Sequence, residues 1–191
     1  MMDVFLETDR LILRRFTDTD EDASLLYELD SDPEVMRYIG PFALGGIEAY
    51  RERLRTFWLP YYAAHPARGF WATIEKSTNQ FIGWIFLRPS TDYRFAGEAG
   101  WTRSTDIEIG YRFRRTAWGR GLASEVATVL VRLALDDPAV TCVVSYALIP
   151  NRGSTRVMEK AGLSRVREFT LSTYTDPGVM YAACREGCSP V

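Results

Sequence analysis

The chain has 191 residues and a net charge of −2, with 47% apolar and 25% charged residues, the composition of an ordinary globular protein long enough for one domain with a real core. So small a net charge argues against nucleic acid as the main partner, because phosphate binding needs concentrated Lys and Arg. No stretch approaches the roughly 20 apolar residues of a membrane span, and acids and arginines interrupt Met1–Phe16 where a signal peptide would need an apolar core, so a single cytoplasmic domain over residues 1–191 is expected.

In chain order, "TDRLILRRFT" (Thr8–Thr17) alternates like a half-buried strand with Leu11 and Leu13 on one face. "DTDEDASLLYELDSD" places acids before Leu25, Leu26 and Leu29, which predicts a short helix. Asp32–Pro33 is an N-cap and first-turn pair that opens a second short helix to Tyr38. Gly40–Gly46 is a loop, and a further helix runs from about Ile47 to Ala64, where His65–Pro66 ends it. Phe70–Glu75 and Gln80–Arg88 flank "KSTN" as an antiparallel hairpin. Pro89–Thr105 has no period and many turn residues, which predicts a long loop.

Asp106–Phe113 is a strand, and Leu122–Leu135 a helix with Leu122, Val126, Val129, Leu130 and Leu133 on one face. Thr141–Leu148 is a buried strand. Asn151–Gly162 is a short helix closed by glycine. Strands near Leu163–Ser172 and Gly178–Cys184 complete a mixed α/β order with one central strand–helix–strand crossover. Cys142, Cys184 and Cys188 are an odd set without a pairing motif, and His65 is the single histidine, a surface residue before proline. Neither a metal site nor a Cys–His nucleophile is expected.

The glycine turn between the central strand and helix is the feature that points to chemistry. The first N–H groups of a helix lack intrahelical partners and the helix dipole is positive there, so Trp118–Ala123 is suited to an anion. Gly119, Gly121 and Ala123 keep the backbone bare. The competing reading is a tight turn of small residues packed on a sheet. A dinucleotide fingerprint requires glycine where Ser124 stands, and no Gly-Lys-Ser/Thr phosphate loop is present.

Taken together, "EIGYRF…WGRGLASE" and "IPNRGSTRVMEKAGL" resemble the GNAT superfamily of N-acetyltransferases. The opening "ETDRLILRRFTDTDEDASLLYELDSDPEVMRYIG" is similar to its Rim-type (RimJ/RimL-like) branch, which acetylates the N-termini of ribosomal proteins. The resemblance runs from Glu7 to about Tyr181. It implies a mostly antiparallel mixed sheet flanked by helices, with two splayed parallel central strands, here Asp106–Phe113 and Thr141–Leu148. The family signature Arg/Gln-x-x-Gly-x-Gly/Ala falls on Trp118, Gly119, Arg120, Gly121, Leu122 and Ala123, with Trp118 departing from the Arg/Gln consensus. Arg115 and Ala117 replace the branch's usual Pro and Tyr.

The implied anion is the pyrophosphate of acetyl-coenzyme A (acetyl-CoA), which serves as co-substrate without a metal. The implied pantetheine arm bonds backbone at Tyr111 and Phe113, and Asn151 matches the asparagine that binds the arm, although a plain N-cap explains it equally. The resemblance makes the Tyr111 N–H the oxyanion donor and Ser154 the acid that protonates the coenzyme sulfur; the alternative for Ser154 is a polar first-turn residue. Glu108 is either a base acting on the amine through water or a carboxylate that is structural or binds the amine.

Phe42, Trp58, Tyr61, Tyr62, Tyr93, Phe95 and Trp101 either line an acceptor cleft or, more simply, pack in the core. The implied activity is acetyl transfer to a primary amine, of a protein or peptide N-terminus or a small molecule, and the resemblance allows a homodimer. A non-catalytic acyl-CoA sensor on the same fold is the alternative.

Overall fold

The computed structural model describes residues 3–40, 45–93, 96–101 and 103–189. Eight strands form one sheet in the order β1-β2-β3-β4-β5-β6-β8-β7. They are β1 (Val4–Glu7), β2 (Leu11–Arg15), β3 (Gly69–Glu75), β4 (Gln80–Pro89), β5 (Ile107–Phe113), β6 (Cys142–Leu148), β7 (Ser164–Phe169) and β8 (Gly178–Cys184). The helices are α1 (Asp20–Asp30), α2 (Pro33–Met36), α3 (Ile47–Arg53), α4 (Leu59–Ala64), α5 (Ala96–Ala99), α6 (Leu122–Asp136) and α7 (Arg152–Lys160). The mixed α/β class agrees with the order of elements in the sequence, and the mostly antiparallel sheet agrees with what the family resemblance implies.

The chain divides into two compact units, one of Met1–Phe86 with Tyr111–Leu122, the other of Leu87–Gly110 with Ala123–Val191. In the first, β2 pairs antiparallel with β1 and with β3. The expected single strand Thr8–Thr17 is instead a turn followed by β2. The Thr8 N–H bonds the Leu11 carbonyl at 2.9 Å, and the Leu11 N–H returns to the Thr8 hydroxyl at 3.1 Å. Leu11 and Leu13 are fully buried, as their alternation predicts. Thr19 caps α1 by accepting from the Asp22 N–H, and Asp32 caps α2 by accepting from Glu34, whose helix ends earlier than expected, at Met36.

The predicted helix Ile47–Ala64 is interrupted by a π-helical stretch, Leu54–Trp58. Leu59 donates to Leu54, five residues back. Pro60 supplies the cause, because it has no N–H to offer and its ring crowds the carbonyl four residues before it. Residues 41–44 of the predicted Gly40–Gly46 loop, with Phe42, lie outside the described residues. Phe16, Leu26, Leu29, Leu54, Trp58 and Phe70 form the core of this unit.

In the second unit β8 lies antiparallel between β6 and β7. The predicted Pro89–Thr105 loop contains a 3-10 turn, Ser90–Asp92, and α5. Cys142 and Cys184 are directly opposed in the β6–β8 register and form a disulfide, while Cys188 is exposed with a free thiol. No motif in the sequence marks this pair. Strand register, not sequence spacing, brought these two together. Among the described residues no helix is long and apolar enough to cross a membrane, and no cluster of His, Cys, Asp and Glu could hold a metal.

Gly83 on β4 has φ +149°, and a Cβ there would lie 2.2 Å from the Arg112 carbonyl oxygen and 2.7 Å from the Phe113 Cα. Backbone cannot yield as a side chain does. Gly83→Ala should therefore lower the unfolding free energy by about 1–3 kcal/mol, read as a lower urea midpoint.

Candidate functional site

The turn that opens α6 belongs to the first unit up to Leu122. A 3-10 turn, Arg115–Ala117, leads into it from β5. Gly119 has φ +72° and Gly121 φ +76°, a left-handed conformation that costs L-residues roughly 1–2 kcal/mol each. Glycine is required here for its backbone as much as for its small size. Among the described residues nothing lies within 4 Å of a Cβ built on Gly119, and Arg10 Nη2 lies 3.8 Å from one built on Gly121.

The long side chains of the turn are engaged by protein groups. The Arg120 guanidinium is ion-paired with Glu75 at the end of β3, with Nη1 3.2 Å from Oε2 and a second bond from Nη2 to Oε1. That hydrogen bond from Arg120 is the main cause that holds the Glu75 carboxyl below its usual range. Arg10 Nη1 donates to the Arg120 carbonyl at 3.1 Å. The Trp118 indole N–H donates to the Phe113 carbonyl at 2.8 Å, so this tryptophan latches the turn to the strand before it. The Phe113 backbone, which the resemblance sets against the pantetheine arm, thus has its carbonyl engaged by Trp118. Leu122 is fully buried. What the turn presents is backbone.

The end of β5 that carries Tyr111 is held by charge. Arg112 pairs with Asp30 on α1 and lies 5.1 Å over the Trp84 ring. Arg114 bonds Glu28 at 2.7 Å, and Arg115 bonds Asp32 at 2.7 Å. Three arginines near the strand end thus meet three acids on α1 and at the start of α2. The Tyr111 side chain is half-buried.

In the second unit, β5 and β6 pair in parallel at Ile107–Val143 and Glu108–Val144, two pairs for two seven-residue strands. Glu108 is buried, and Arg88 Nε lies 2.7 Å from its Oε2. Burial pushes the Glu108 carboxyl up, against the lowering effect of the Arg88 charge. Beside the pair, Arg88 lies 5.6 Å from the Tyr93 ring, and Tyr93, Trp101 and Tyr146 pack on one another with centroids 4.7–5.8 Å apart. Burial raises the Tyr93 and Tyr146 hydroxyl pKa values, so both rings stay neutral.

Trp101 is buried with its indole N–H 3.2 Å from Met180 Sδ, and Trp58, Tyr61, Tyr62 and Tyr93 are buried too. These aromatics form core rather than an open cleft lining, and Phe95 lies outside the described residues. Asn151 is the N-cap of α7, its side-chain oxygen accepting from the Ser154 N–H at 3.2 Å. That leaves the Asn151 amide N–H₂ as donor. Ser154 is half-buried in the first turn. Ala123 follows the turn into α6.

Residues 10–164 match the family model of the Acetyltransferase (GNAT) domain. The uncharacterized N-acetyltransferase YoaA of Bacillus subtilis is 30% identical over 161 residues, 84% of this chain and 82% of that protein. Among solved structures, AAC(6')-Ib in complex with Parmomycin and acetyl-CoA superposes with TM-score 0.72 at 21% identity, covering 93% of this chain and 95% of that one. Ribosomal-protein-S5-alanine acetyltransferase from Vibrio fischeri gives 0.73 at 14% identity over 98% and 99%. Below 25% identity these two likenesses concern the fold alone.

The Arg88–Glu108 pair is testable by itself. Arg88→Met leaves a buried carboxylate without its counter-charge and should cost about 3–5 kcal/mol. Adding Glu108→Leu should recover most of that loss, as measured by denaturant titration of both variants.

Proposed function

Because this chain belongs to the GNAT family of acetyltransferase domains, we propose that it moves the acetyl group of acetyl-CoA directly to the primary amine of a protein N-terminus or a small molecule. The observation that carries this reading is the turn Trp118–Leu122. Its two left-handed glycines strip a helix start of side chains, and its one long cation is bound elsewhere, by Glu75. Such a turn offers backbone N–H groups to a pyrophosphate. Trp118, Gly119, Arg120, Gly121, Leu122 and Ala123 hold it through their peptide units. The family model spans residues of both compact units, which supports treating the chain as one functional domain.

In the reaction, the amine lone pair attacks the thioester carbonyl, the surplus proton on the attacking nitrogen passes to water, the tetrahedral oxyanion collapses and the C–S bond breaks. The Tyr111 N–H is the proposed oxyanion donor. Backbone at Tyr111 and Phe113, with the Asn151 amide, holds the arm. Ser154 protonates the departing thiolate. A thiol of pKa about 8.5 leaves fairly well unaided, so this assistance is modest. Glu108, buried and paired with Arg88, is assigned a structural role rather than that of proton acceptor. An α-amino group of pKa about 7.7–8.0 supplies enough neutral amine near neutrality without a strong base, whereas lysine at about 10.4 does not. That difference and the resemblance of Glu7–Gly40 to the Rim-type branch make protein N-termini the first acceptors to try, ahead of small amines.

The test is a screen of N-terminal peptides and small amines for acetyl-CoA-dependent thiol release, with the acetylated product identified by mass. Coenzyme binding without turnover in either class would sink the enzyme reading and leave the acyl-CoA sensor. Gly121→Val forces a β-branched residue to positive φ and should weaken acetyl-CoA binding about ten-fold by calorimetry on folded protein. Ser154→Ala should lower kcat about ten-fold with little change in the KM for acetyl-CoA, since an acid acts on the transition state. The reverse pattern would make Ser154 a binding group.

A further inference from the structure

We propose that Arg10 is a positioning residue for the coenzyme: it fixes the Arg120–Gly121 peptide so that the Gly121 N–H faces the pyrophosphate. The inference rests on the assignment of this turn to the coenzyme. Arg10 stands in the turn between β1 and β2, which backbone and side-chain hydrogen bonds hold. Thr8 and Leu11 close it with two hydrogen bonds, and the Arg10 carbonyl accepts from the Lys76 N–H at 2.9 Å. Lys76 Nζ then bonds the Thr8 carbonyl at 2.7 Å and Glu7 at 2.8 Å. From this base Arg10 Nη1 reaches the Arg120 carbonyl at 3.1 Å. The next residue, Leu11, is paired in the sheet with Glu75, which binds the Arg120 guanidinium. Arg10, just before β2, and Glu75, at the end of β3, therefore grip one residue twice, by its carbonyl and by its side chain.

The consequence follows from peptide geometry. No cis peptide is present, and in a trans unit the carbonyl and the following N–H point in opposite directions. A carbonyl held toward Arg10 turns the Gly121 N–H away from it. Arg10 Nη2 also lies 3.8 Å from where a Gly121 Cβ would be, so the guanidinium backs this glycine as well. Two left-handed glycines make the turn able to rotate this peptide at little steric cost. An external donor is what selects one orientation.

The test compares the protein with Arg10→Ala and Arg10→Lys by calorimetry, using coenzyme A, 3'-dephospho-coenzyme A and pantetheine as ligands, with thermal unfolding alongside. A charge-assisted hydrogen bond of this kind corresponds to about a ten-fold change in affinity or more. Arg10→Ala should weaken coenzyme A and 3'-dephospho-coenzyme A by the same factor of about ten and leave pantetheine, which has no pyrophosphate, unchanged. Arg10→Lys, which keeps a donor, should recover part of the loss. Loss confined to coenzyme A would mean direct contact with the 3'-phosphate and would overturn the positioning role. So would a lower Tm with unchanged affinities, or an equal loss for pantetheine. Failure of the unaltered protein to bind coenzyme A would instead overturn the reading of the turn itself.

Discussion

The double grip on Arg120 is the constraint on which the proposed donor site depends. A turn with glycine at two positive-φ positions is cheap to form and equally cheap to deform. Glu75 at the end of β3 and Arg10 in the β1–β2 turn remove that freedom from outside the turn. Trp118 adds a third tether, to the carbonyl of Phe113. On the proposed reading the coenzyme meets main chain here, and the side chains around it work as anchors. This explains how Trp118 can stand where the family consensus has Arg or Gln. If the amides do the binding, that side chain is free to take a structural duty.

Charge also organises the neighbouring strand. Arg112, Arg114 and Arg115 near the end of β5 meet Asp30, Glu28 and Asp32. The exposed members of this set contribute little stability individually, because solvent screens them. Arg112 differs: it is largely buried, paired with Asp30 and laid over Trp84, so its geometry is the best determined. These contacts orient the stretch from Tyr111 to the turn, and orientation is what a backbone donor such as the Tyr111 N–H requires.

In the second unit the buried Arg88–Glu108 pair plays a corresponding part at the other end of β5. Desolvation works against both charges, and a buried pair of this kind is seldom a net source of stability. Its proximity to Tyr93, with Tyr146 and Trp101 packed alongside, makes a polar centre inside an aromatic cluster. Glu108 lies within the parallel β5–β6 register, opposite Val144, so its charge is fixed on a paired stretch of the strand.

Most elements were legible from local pattern. The 3.6-residue spacing of Leu122, Val126, Val129, Leu130 and Leu133 predicts α6; Leu122, Val126 and Leu130 are fully buried, whereas Val129 is half-buried and Leu133 is exposed. The Asp32–Pro33 pair predicts α2, and glycines between a strand and a helix mark the turn. These are short-range effects: caps, periodicity and the φ that glycine alone adopts cheaply. What lay beyond sequence is everything fixed by strand register and long-range pairing. Glu75 is 45 positions from Arg120, Arg10 is 110 from it, and Arg88 is 20 from Glu108. No spacing rule links such partners, so the anchors of the turn and the partner of Glu108 went unseen. Cys142 and Cys184 became a pair only because β6 and β8 align them. The aromatics illustrate the same limit, since composition counts them but only packing assigned Trp58, Tyr93 and Trp101 to the interior. The sequence by itself determined the elements, the fold class and a bare glycine turn at a helix start, because each depends on residues within a few positions of one another. The tertiary structure decided which charges hold that turn and which acids are buried, because those depend on residues that meet only once the sheet has formed.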